Sequence, residues 1–176
     1  MLSRPESNEY ADFYANYIGE VPDGDLLNFL DLQMGDFDGL VNDLSDDQAS
    51  QAPAPGKWSV KQVLGHISDT ERVLSYRALR FARCDQKELQ GFEQDDYVAA
   101  ANSNDRSTTD LLAELKSVRR ATLALLQSLT EEASMRSGHA NGKSVSVRAL
   151  AYVIAGHAQH HLELLRQQVA GKSASA

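Results

Sequence analysis

Four stretches of this 176-residue chain repeat apolar side chains at alternating spacings of three and four, and the link between the second and third is the longest. Apolar residues at that period form one stripe of an α-helix, a face that has to be buried against neighbouring helices. Leu27, Leu30, Met34, Phe37, Val41 and Leu44 place a first helix over roughly 25–44. Val60, Val63, Leu64, Ile67, Leu74, Ala78 and Phe81 place a second over roughly 60–84, and Ser59 with Gln62 forms a capping box at its start. The third is read from Leu111, Leu115, Val118, Thr122, Leu125 and Leu129, with Ser107, Thr108 or Thr109 as its N-cap. The fourth begins near Ser146 and carries Val147, Leu150, Ala151, Ile154, Ala158, Leu162, Leu165 and Val169.

The connection from Asp85 to Arg106 has the length of a functional loop rather than a turn. Extended at ~3.3 Å per residue, it can run the full ~37 Å of a 25-residue helix, which lets the third helix lie parallel to the second. These lengths predict an all-α fold, a four-helix bundle with one long crossover. Residues 1–24, with Tyr10, Phe13, Tyr14 and Tyr17, are expected to wrap the bundle as an N-terminal extension. The bundle itself is expected over 25–170, and 171–176 as a flexible tail.

Twenty-five acidic against seventeen basic residues give a formal charge of -8, which opposes binding to phosphate backbones and anionic membranes. Arg72, Arg77, Arg80 and Arg83 recur at helical spacing beside Asp69 and Glu71, the pattern of a solvated face, so no nucleic-acid partner is expected. No stretch approaches the ~18 apolar residues of a membrane span, and the N-terminus lacks a signal-peptide core. A cytoplasmic protein is expected. The single Cys84 fits a reducing compartment and is read as a small apolar helix residue.

His157 and His161 stand four residues apart on the fourth helix, which puts both imidazoles on one face, where they can share a metal ion. His66, on the flank of the second helix, is the candidate third ligand. Two imidazoles buried without a shared partner each need their own hydrogen bonds, and bundle cores do hold metals between facing helices. Gly65 and Gly156 directly precede His66 and His157, which suggests close approach of the helix backbones there. Because Ala158 follows His157, the His-Glu-x-x-His protease signature is absent. Three histidines with no fixed fourth ligand leave positions open for water or substrate, and imidazole does not select among zinc, iron, nickel and copper. His160 lies ~100° around the helix from His161, pointing to a neighbouring helix or subunit. His139 falls in a turn-rich loop and is expected to be exposed.

The segments Gly56-Lys-Trp-Ser-Val-Lys-Gln-Val-Leu-Gly-His66, Asp69-Thr-Glu-Arg72, Tyr76-Arg-Ala-Leu-Arg80, Gly91-Phe-Glu-Gln-Asp95 and Gly156-His-Ala-Gln-His-His161, with Arg4-Pro5 and Glu9-Tyr10, cover nearly the whole length. In these the chain resembles the DinB-like (DinB/YfiT) superfamily of metal-binding four-helix bundles. The resemblance implies an up-down-down-up bundle, a divalent metal (Zn, Ni or Fe) on His66, His157 and His161, and frequent homodimers. Some members of the superfamily are thiol-dependent S-transferases or isomerases using bacillithiol, mycothiol or glutathione, and others resemble metal-dependent hydrolases.

The resulting expectation is a metal-dependent enzyme that activates a thiol or water for attack on a small electrophile. Its partners are a small-molecule substrate and a low-molecular-weight thiol. The loop around Phe92, Asp95, Asp96 and Tyr97 is expected to cover the site, and Asp69 and Glu71 to be surface groups or supports of the ligands. The alternative is a non-catalytic, metal-stabilised bundle that acts as a dimeric or partner-binding module.

Overall fold

The computed structural model describes residues 2–42 and 44–173. After two 3₁₀ turns, a short helix α1 (Ala15–Gly19) precedes the first long helix, α2 (Leu26–Val41), whose N-cap Asp25 accepts from the amides of Leu27 and Asn28. A single turn of helix, α3 (Asp46–Ser50), leads to α4 (Val60–Ala82), where Ser59 and Gln62 form the expected capping box. The crossover holds α5 (Gln94–Ala100), followed by α6 (Thr108–Gln127) with Ser107 as its N-cap. Next come α7 (Glu131–Met135), strands β1 (Ser137–Ala140) and β2 (Lys143–Ser146), and α8 (Val147–Ser173).

Contacts across the core fix the directions. Glu71 and Arg72 on α4 reach Arg119 and Glu114 on α6, while Ser59 and Asn104 meet at their starts, so these two helices run parallel. His66 meets His157 while the far end of α4 packs on the segment before α8, so α4 and α8 are antiparallel. Gln33 on α2 bonds to Ala155 and Gln159 on α8, and Asp36 pairs with Arg166, which sets α2 parallel to α8. The result is an up-down-down-up four-helix bundle.

Leu30, Phe37, Leu64, Ile67, Leu111, Leu115, Leu150, Ile154, Leu162 and Leu165 are all but sealed from water. Each such side chain contributes roughly 1.5–3 kcal/mol of burial. On α6 the buried stripe passes through Leu112, Leu123 and Leu126, leaving Leu125 and Leu129 only partly covered. A polar network crosses this core. Arg119 donates to both Glu71 carboxylate oxygens, to the Leu30 carbonyl and to Gln33 Oε1.

Several expectations need correction. Glu71 is buried against Arg119, not at the surface and not on the histidines, and Arg77 is buried, not part of a solvated face. The crossover is not structureless. Leu89 pairs with the β hairpin through His139 and Asn141, and α5 occupies its centre. Segment 137–146 is that hairpin, with Asn141 and Gly142 both at positive φ in its two-residue turn, although His139 on β1 is exposed as expected. Cys84 lies beyond the end of α4, exposed and with φ 62°, so it is not an apolar helix residue. Helix α8 runs through Ser173, into the segment expected as a tail, while 174–176 lie outside the described residues.

The N-terminal segment packs along α8. Ile18 and Val21 are buried, Tyr10, Tyr14 and Tyr17 pack on the core, Arg4 donates to the carbonyls of Ile18 and Val21, and Arg148 binds the Glu9 carboxylate. A Cβ at Gly156 would overlap the Tyr17 carbonyl. A Cβ at Gly65 would meet the Ser103 hydroxyl. Both glycines therefore make room for connecting segments rather than for each other's helices. Among the described residues, no helix is long and apolar enough to cross a membrane.

Candidate metal centre

His66 projects from the second turn of α4, and His157 and His161 from successive turns of α8, so the antiparallel pairing of the two helices brings three rings together. His66 Nε2 and His157 Nε2 are 3.0 Å apart, and the ring centroids of the three histidines stand 4.6–4.9 Å from one another. One ligand nitrogen from each lies within 4.8 Å of the others, and no other such group of His, Cys, Asp or Glu occurs among the described residues. Relative exposures are 3% for His66, 6% for His157 and 9% for His161.

Burial suppresses the charged forms of all three rings. It takes His66 down to about 4, partly opposed by the Asp95 carboxylate. Burial and the neighbouring imidazoles take His161 to about 3 and push His157 well below the ordinary histidine range. Neutral imidazoles are the form that ligates a metal. Trp58 packs 4.7 Å from the His66 ring, and Tyr17 meets His157 edge-on at 5.5 Å. Both side chains keep water from the rings.

The donor set fits a divalent cation. His161 Nδ1 is buried with no hydrogen-bond partner, and His66 Nδ1 is only 3.5 Å from the Thr70 hydroxyl. His66 and His157 can share one proton between their Nε2 atoms, but no carboxylate stands among the rings, and a shared cation is what serves all three together. Two nitrogens cis on one ion at 2.0–2.1 Å stand about 3 Å apart, the spacing of the His66 and His157 pair.

A cavity of about 310 Å³ opens beside His157. Its wall is built by Tyr14 and Tyr17 from the N-terminal segment, Thr70, Leu74 and Arg77 of α4, Phe92 to Gln94 of the crossover, and Asn141 of the hairpin turn. A larger groove of about 550 Å³ lies between α4 and α6, but no histidine lines it. Of the residues expected to cover the site, Phe92 lines the cavity, Asp95 acts on His66 through its charge, and Tyr97 packs on Phe92. His160 turns away from the cavity and toward Glu20, 3.2 Å from its carboxylate. The sequence reading missed Arg77, Tyr17 and Asn141 as site residues. For Arg77 a signal was present, since Thr70, Leu74 and Arg77 follow His66 at spacings of four, four and three along one face.

The model of the DinB superfamily matches residues 30–165. The chain belongs to the DinB superfamily. A curated relative from Oceanobacillus iheyensis, provisionally named as the metal-dependent hydrolase OB0413, is 26% identical over 137 residues, 77% of this chain and 78% of that protein. The fold is similar to that of YfiT from Bacillus subtilis, likewise provisionally described as a metal-dependent hydrolase with an unusual four-helix bundle topology. Its TM-score is 0.77 at 16% identity, over 97% of this chain and 94% of that one. The mycothiol-dependent maleylpyruvate isomerase is also similar, with a TM-score of 0.65 at 10% identity, over 82% of this chain and 61% of that one. The two structural likenesses, at low identity, show the shared fold.

Proposed function

We propose that His66, His157 and His161 hold a divalent metal ion and that the protein is a metal-dependent enzyme acting on a small electrophile, with water or a low-molecular-weight thiol as nucleophile. The observation that carries this reading is the desolvated histidine trio, one member of which, His157, lines a cavity of substrate size. The provisional hydrolase names of OB0413 and YfiT support the water branch, and the mycothiol-dependent isomerase supports the thiol branch. A divalent metal there supplies a Lewis acid that lowers the pKa of water or a thiol.

The chain's own residues do the rest. Trp58 and Tyr17 shield the imidazoles, and the Thr70 hydroxyl oxygen stands 3.5 Å from His66 Nδ1, placed to accept its N–H when Nε2 ligates. Burial raises the Tyr17 phenol above its ordinary range, so at neutral pH it is a hydrogen-bond donor on the cavity wall. Phe92 at the mouth limits solvent access. Homodimerisation, carried over from the family resemblance, is part of the proposal and is checked by sedimentation equilibrium.

Elemental analysis of untagged protein beside His66→Ala and His157→Ala tests the assignment. Stoichiometric metal in the parent and near-total loss in both variants is expected, with turnover of an ester and epoxide panel lost on chelation and restored by metal. Equal metal in all three samples, or full activity in verified metal-free protein, would overturn it.

A further inference from the structure

Two arginines are buried among the described residues, and they are treated differently. Arg119, 1% exposed, has the Glu71 carboxylate as its counter-ion. Arg77, 5% exposed, has none. Among the described residues no ion pair involves it. Its Nη2 donates to the Gln90 carbonyl at 3.0 Å, and Tyr14 borders the guanidinium. A buried cation without a counter-ion is costly, and side chains of this type are retained where an anion completes them. Arg77 lines the same cavity as His157. Glu93, on the rim of that cavity, is exposed and leaves Arg77 unpaired.

We propose that Arg77 is the anion subsite of this cavity and that its ligand is the carboxylate of a small organic acid, with the reacting carbon directed toward the histidines. This deepens the functional reading above and rests on it for the direction of the substrate. With Tyr14, Tyr17 and Asn141 as uncharged neighbours and the exposed Glu93 carboxylate already at the rim, one guanidinium suits a single negative charge, whereas a phosphate dianion would leave a second charge uncompensated. A planar carboxylate also suits the guanidinium fork. From Thr70 to Arg77 the helix rises about 10 Å, so an acid as short as hexanoate fits within the cavity wall they share and serves as the probe.

Calorimetric titration with hexanoate, hexanamide and inorganic phosphate tests this on the metal-loaded and the chelated protein. Hexanoate is expected to bind both forms, about tenfold or more tightly than hexanamide or phosphate. Arg77→Gln is expected to lose at least that factor with its metal content unchanged, while Arg77→Lys retains part of the affinity. The comparison of acid with amide needs no variant, so a misfolded Arg77→Gln does not remove the test. Equal binding of acid and amide, preference for phosphate, or hexanoate binding abolished by chelation but indifferent to Arg77→Gln would overturn the subsite. Absence of metal from the parent, with Arg77-dependent hexanoate binding intact, would instead overturn the metal assignment alone.

Discussion

Arg119 on α6 grips the Glu71 carboxylate on α4 through Nε at 2.9 and 3.1 Å and Nη2 at 2.8 Å, with both side chains almost sealed from water. Removing one partner strands the other charge in the core. Glu71→Gln is therefore expected to cost about 3–5 kcal/mol, and Arg119→Met a similar amount. The Glu71→Gln/Arg119→Met double variant is expected to cost less than the sum, because no buried charge is left without its partner. Urea unfolding of the four proteins checks this, and additive losses would contradict it.

The three histidines make the metal-free protein sensitive to acid. Their folded pKa values, about 4 for His66, about 3 for His161 and well below the usual range for His157, lie under the ordinary histidine value of 6.5. Below that value the unfolded chain takes up protons first, so stability falls as pH drops from about 6.5 toward 4 and 3. Melting temperatures of chelated protein from neutral to acid pH are expected to show a shallower decline in His161→Leu than in the parent. Superimposable declines would remove the histidines as the cause.

Gly156 and Gly35 are expected to respond to alanine with opposite signs. At Gly156 the new methyl meets the backbone carbonyl of Tyr17, which cannot move without displacing α1, and a loss of about 1–3 kcal/mol follows. Gly35, exposed on α2 with nothing within 4 Å of an added Cβ, is expected to gain about 0.4–1 kcal/mol. Thermal unfolding of the two variants reads both.

Arg148 holds the Glu9 carboxyl down to about 2, from 4.5. A depressed carboxylate stabilises the fold above its unfolded pKa, and that contribution is lost as pH falls from about 4.5 through 2. After allowance for solvent screening, Glu9→Gln is expected to cost about 1–2 kcal/mol at neutral pH. The difference from the parent should narrow from about pH 4.5 and close only below about pH 2. A gap unchanged across this range would show that the pair is held by packing alone.

The long helices were legible because each writes its burial into a stripe of Leu, Val, Ile and Phe, and Ser59 and Gln62 announce the start of α4. The histidine trio was legible for the same reason, since spacing alone puts His157 and His161 on one face. Arg119 and Glu71 were not, because each looks like a surface charge until α4 and α6 are laid in parallel and the two meet. Arg77 was hidden in the same way among Arg72, Arg80 and Arg83, since it is the buried one of the four while the others are paired or exposed. The hairpin was missed because strands of four residues carry little periodicity, although Asn141-Gly142 is a turn signal.

His66 and His157 are 91 residues apart in sequence and touch only when α4 and α8 are docked antiparallel. A partly folded chain that has made its local helices presents the His157 and His161 pair alone, a far weaker trap for an ion than three converging rings. Under the proposed assignment, tight metal retention is thus a property of the finished topology. In a cell, the ion would discriminate completed chains from arrested ones, acting as an assay of folding that the protein performs on itself.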